Sequence, residues 1–176
     1  MTAAEYWNNL HFDYLITYSL FRGEKYNQYV STIENEIASK RQLASLSRWY
    51  QKEKLEAEIA LLEKRKCIYG VTILDHDLKL HGCAEKVMQF YRQDKEVKAL
   101  EDILTVKYNE GAVSACVPVY RDAIIFYNNK GDAVSNLNIC FECWRMADGN
   151  DNQIMAYGEM VYPPLVELLS TWGHKI

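Results

Sequence analysis

The chain has 176 residues, 49% hydrophobic and 25% charged, so it is long enough for a core of its own and too apolar for a disordered or fibrous chain. Twenty Lys and Arg against 24 Asp and Glu give a formal charge of −4, and no basic cluster is interleaved with aromatics, which excludes the electrostatic footprint of a nucleic-acid binder. The surplus is aromatic, with 13 Tyr, 5 Phe and 4 Trp, side chains that suit a core or a binding surface equally.

From the N-terminus, Thr2 and Glu5 hold the spacing of a capping box, and Trp7, Leu10, Tyr14, Tyr18 and Phe21 recur at steps of three or four. This predicts a helix that Gly23 ends. Glu5 and Asp13 interrupt the apolar stretch and no basic residue precedes it, so it is not expected to act as a secretory signal. From Glu24 to Tyr69 there is neither Gly nor Pro, and Tyr26, Val30, Ile33, Ile37, then Leu55, Ile59 and Leu62 keep helical spacing. The rhythm slips between Leu43 and Ser47, so we expect two helices or one bent helix. A second helix would start near Trp49, with Ser45 or Ser47 as its cap. Glu34, Glu36, Glu53, Glu56, Glu58 and Glu63 alternate with Lys and Arg as a solvated face.

Val71 to Leu74 reads as a short strand, and Val87, Phe90, Tyr91, Val97, Leu100, Ile103 and Leu104 predict one or two helices over 84–108. After Gly111 the pattern changes to β-branched and aromatic runs, predicting strands over 113–119, 123–128, 134–144 and 153–158. Asn128 to Asp132 is a hairpin turn signal and 146–152 a looser one. Ile124 to Tyr127 leaves no polar face, which predicts an interior strand covered on both sides. Pro163 and Pro164 open a last helix through Ser170. No apolar run reaches the roughly 18 residues a membrane span requires, so no membrane partner is expected. The expected fold is α+β in a single domain over 1–176. Its helical N-terminal two thirds, 1–110, packs on a small antiparallel sheet of about four strands in 111–176, followed by a C-terminal helix.

Cys140-Phe-Glu-Cys143 has a spacing shared by zinc ligands and dithiol redox sites. In a regular strand residues three apart point to opposite faces, so these two sulfurs are expected to diverge. Cys116 is the best third ligand, with Cys83 or His81 fourth, and no second CxxC completes a set. Together with Cys67 the cysteines number five, which reads as free thiols in a reducing cytoplasm. Asp75, His76, Asp77 and His81 read as a polar loop, with a hydrolytic metal site as the alternative. No nucleophile elbow, phosphate loop or dinucleotide turn occurs, and no cofactor is expected.

Cys116 to Tyr127 (CVPVYRDAIIFY), Lys130-Gly131-Asp132, and Leu137 to Cys143 (LNICFEC) resemble a hairpin of small bacterial proteins, some of which look like immunity proteins encoded beside secreted antibacterial toxins. The resemblance implies no catalytic residues and a protein partner, a basic toxin domain. The leading expectation is a non-enzymatic cytoplasmic binding protein that neutralises such a toxin. Its anchors would come from Tyr6, Tyr26, Trp49 and Trp144, each of which the sequence equally allows in the core. The alternatives are a metal- or thiol-dependent enzyme using Cys116, Cys140 and Cys143, and a structural or oligomerisation module built on the helices from Glu24 to Cys67.

Overall fold

The computed structural model describes residues 1–74, 77–107, 116–156 and 158–176. In chain order the elements are α1 Ala3–Asn8, β1 Tyr14–Leu20, α2 Gly23–Leu46, α3 Trp49–Lys66, β2 Ala84–Tyr91, α4 Lys95–Leu104, β3 Asp122–Tyr127, β4 Ala133–Cys140, β5 Arg145–Ala147, β6 Gln153–Ile154 and α5 Gly158–Thr171. The strands form one antiparallel sheet in the order β2-β1-β3-β4-β5-β6. The α+β class therefore holds, with six strands among the described residues rather than about four. The chain divides into two compact units, Met1–Leu20 with Tyr69–Ile176, and Phe21–Ile68.

The first unit is built around the sheet. Leu15, Ile124, Phe126, Leu137, Ile139 and Met146 form a continuous core with Tyr6 and Trp7 of α1, Val97, Leu100 and Leu104 of α4, and Leu165 and Leu169 of α5. β3 is interior, and Ala123 to Phe126 are fully buried, as a strand without a polar face requires. The turn after it closes as the sequence indicates: Asn128 Oδ1 accepts from the N–H groups of Lys130 and Asp132, and Gly131 takes φ +87°.

The N-terminal helix is much shorter than its periodicity predicts. The capping box forms, with Glu5 N donating to Thr2 Oγ1 and Thr2 N to Glu5 Oε2, yet α1 stops at Asn8 and Tyr14–Leu20 is a strand. Tyr14 and Tyr18 satisfy helical and strand spacing alike, and because both faces of β1 are largely buried no polar alternation betrays the period. Ile16 and Thr17, β-branched, favour the strand once β2 and β3 are there to pair with it. Ala84–Tyr91 corrects in the same way: it is β2, and only α4 remains of the helices expected over 84–108. Residues 1–110 thus hold two of the six strands and are not simply helical.

Four smaller expectations also change. Gly23, at φ +53°, begins α2 instead of ending a helix, and 71–74 forms no strand, Leu74 making only a bridge to Leu80. Residues 116–119 are not a strand, and 113–115 lie outside the described residues. β4 ends at Cys140, with a tight turn before β5, and β6 is two residues long. α5 starts five residues before Pro163, so both prolines sit inside it.

The second unit is a pair of helices. Ile33, Ile37 and Leu62 are buried between them, with Tyr29 and Ile59 packed alongside. Tyr26 and Tyr29 donate their hydroxyls to the Lys66 and Arg65 carbonyls, closing the end of α3. Lys40–Glu58 at 2.6 Å, Arg41–Glu63 at 3.2 Å and Lys66–Glu34 at 3.3 Å run across the pair. α3 starts at Trp49 as expected, but neither serine caps it: Ser45 and Ser47 donate to the Gln42 and Leu43 carbonyls and so finish α2. Among the described residues no helix is long and apolar enough to cross a membrane.

Candidate binding surfaces

The cysteines expected to ligate or react are placed otherwise than a strand would put them. β4 stops at Cys140, and the turn over 141–144 folds Cys143 back against the cluster of Tyr120, Cys140 and Ala147, so Cys140 and Cys143 do not diverge. Cys116 and Cys143, with Cα atoms 6.3 Å apart, form a disulfide, and these two are not the free thiols the odd count implied. A disulfide sulfur supplies no thiolate, and among the described residues no group of three His, Cys, Asp or Glu side chains is placed to hold a metal. In the polar loop, Asp75 and His76 lie outside the described residues. Asp77 is exposed beside Lys79, and His81 Nδ1 lies 3.0 Å from Cys83 Sγ.

Folding also assembles a serine, an aspartate and a histidine that no sequence spacing announces. Ser19 Oγ donates to Asp122 Oδ1 at 2.9 Å, and His174 Nδ1 lies 2.7 Å from the same oxygen. The serine proton points at the carboxylate, not at an imidazole nitrogen, and the histidine side chain is wholly buried. A nucleophile needs a base facing its hydroxyl and an open approach, so this group is a structural tie. Its geometry begins in the backbone. Gly173, at φ +99°, donates to Ser170 O and His174 N to Leu169 O, a Schellman end to α5 that turns His174 back onto β3.

The four aromatic candidates separate cleanly. Tyr6 is core: its hydroxyl bonds Ser135 Oγ, its ring meets Phe126 edge-on, and burial pushes the phenol well above its ordinary range. Tyr26 is spent on closing the helix pair. Trp49 and Trp144 are exposed, at 78% and 46%.

Trp144 sits at the end of the turn between β4 and β5 with φ +47°, a left-handed conformation that a bulky side chain rarely adopts. Its ring stacks on Tyr162 of α5, centroids 6.0 Å apart and planes within 9°, and Phe141 meets the same tyrosine edge-on. Gly158 lies directly beneath, where a Cβ would overlap the indole. The root of the turn is fastened twice: by the Cys116–Cys143 disulfide, and by Arg145, whose Nε donates to Tyr120 Oη while Tyr120 donates to Asp151 Oδ1 at 2.6 Å. Burial first, then Asp151, raises the Tyr120 pKa, so this phenol stays a donor. Val117, bonded to Cys116, is also exposed.

Trp49 belongs to a different surface. Leu43 and Leu46 in the last turn of α2 and Trp49 and Tyr50 in the first turn of α3 are all exposed, Leu46 at 81%. Around them stand Arg41, Arg48, Lys52 and Lys54, of which Arg41 pairs with Glu63 and Lys52 with Glu56, and Glu53 lies exposed between the two lysines. The unit Phe21–Ile68 carries ten Lys and Arg against seven Glu, net +3, whereas the sheet unit carries ten against seventeen, net −7. Gly158, Tyr162, Leu43 and Leu46 were not foreseen as site residues; the slipped rhythm at Leu43 to Ser47 was the one available signal. Comparison with protein-family models, curated proteins and solved structures returns no match.

Proposed function

We propose that the chain is a non-enzymatic binding protein that docks a basic protein partner on the Trp144 turn of its acidic unit, the relation an immunity protein has to its toxin. One observation carries this reading: Trp144 is held at φ +47°, stacked and fastened from below, with almost half its surface left to solvent. A residue in that region costs about 1–3 kcal/mol, which the neighbouring structure must offset. An aromatic side chain fixed before binding loses little entropy on association, the property of an interface anchor. Glu142 and Glu159 are exposed near it, within a unit whose charge attracts a basic partner.

The test is co-expression with the product of the adjacent gene, followed by binding kinetics. Trp144→Ala, and Gly158→Ala, which displaces the indole without removing it, should each raise the off-rate at least about tenfold. Added salt should slow association, because exposed charges are screened within about 10 Å at 0.1 M. Unchanged off-rates in both variants would overturn the proposal. So would turnover of a small molecule that disappears in Cys143→Ser or His76→Ala.

A further inference from the structure

We infer that the end of the helix pair, Leu43, Leu46, Trp49 and Tyr50 within their basic collar, is a docking point for an anionic lipid surface. This goes beyond the protein-binding reading and uses the other unit. In a water-facing protein the termini of a helix pair are the cheapest place to put polar residues, yet here four large apolar side chains are exposed together. They are concentrated at the junction, while the flanks of both helices carry the cross-pair ion pairs. Trp and Tyr are the residues that favour the headgroup level of a bilayer, and leucine supplies the insertion below it.

Charge selects among occupants. Arg48 and Lys54 have no carboxylate at ion-pair distance among the described residues, and Lys52 reaches only Glu56 at 3.8 Å, so cationic groups stand ready beside the apolar ones. That complements an anionic surface although the whole chain is acidic. Shape also fits lipid: the four side chains stand at the adjoining ends of two helices, and a bilayer needs no preformed pocket to receive them. The expectation that membranes are no partner rested on the absence of a spanning run, which this mode does not require.

The experiment uses the full chain with vesicles of phosphatidylcholine alone, and of phosphatidylcholine with about one third phosphatidylserine. The protein should sediment with the second and not the first, and leave it as salt rises to about 0.5 M. Leu46→Ala with Trp49→Ala should weaken binding at least about tenfold, and Arg48→Gln and Lys54→Gln by about fivefold each. All four side chains are exposed, so unchanged far-ultraviolet circular dichroism is the check that the fold survives. No binding to anionic vesicles, or binding that the Leu46/Trp49 variant retains, overturns the inference. Retention on immobilised polyglutamate without vesicle binding overturns it too, in favour of an acidic polypeptide. The vesicles contain no protein partner, so either result leaves the Trp144 proposal to its own test.

Discussion

The sheet unit and the helix pair reach burial by different means. The sheet unit joins residues far apart in the chain, from Tyr6 to Trp172, into one core, and fastens its last turn of chain through Asp122. The helix pair buries Ile33, Ile37 and Leu62 and relies on tyrosine hydroxyls and ion pairs at its margins. Exposed ion pairs contribute little, about 0–1 kcal/mol each, so the pair is held by few strong interactions. It is therefore the unit that can carry apolar residues at its end without weakening a core. The two units also differ in sign, at +3 and −7, which the total of −4 conceals. Net charge is a poor guide to partners when opposite charges sit on different units.

The largest expected effect opposes the two cores. Ile124→Ala in β3 should cost about 4 kcal/mol in urea unfolding, and Ile37→Ala about 2 kcal/mol, since a fully enclosed site collapses least around a cavity. Hydrogen exchange should place the second loss in residues 21–68. Equal losses, or exchange that rises everywhere with Ile37→Ala, would end the contrast. The tie at Asp122 comes next. His174→Ala should cost about 2 kcal/mol by leaving a buried carboxylate short of a partner. The residues after α5 should then become cleavable by carboxypeptidase, and a protected C-terminus would show that the tie is dispensable. The smallest effect is alkaline. Burial raises the phenols of Tyr6, Tyr120 and Tyr127, all in the sheet unit. Unfolded tyrosines near their ordinary value of 10.0 lose protons first. Stability present below pH 10 should therefore decline above it, and thermal unfolding followed across that range should report the loss in the sheet signal.

Local spacing made several elements legible. The Thr2–Glu5 capping box, the start of α3 at Trp49, the turn at Asn128 and the buried run Ile124 to Tyr127 each depend on neighbours within a few residues, or on a composition with one compatible environment. β1 and β2 look helical in the sequence because Tyr14 and Tyr18, or Val87 and Tyr91, each four residues apart, fit both periods, and the strands that decide between them lie up to about a hundred residues away. The disulfide was hidden for a related reason: a turn that ends β4 after Cys140 sends Cys143 toward a segment 27 residues earlier.

By itself, then, the sequence determined the α+β class, the interior place of β3, the break between α2 and α3, and the pool of aromatics from which anchors could come. Only the tertiary structure decided which of these were anchors. Exposure is a property of what packs around a side chain: Phe126 and Ser135 pack on Tyr6, which is buried, whereas Trp144 stacks on Tyr162 and keeps almost half its surface exposed. The Ser19–Asp122–His174 tie was likewise settled in three dimensions, because its members come from β1, β3 and the chain beyond α5, and no local pattern links residues that meet only when a sheet forms.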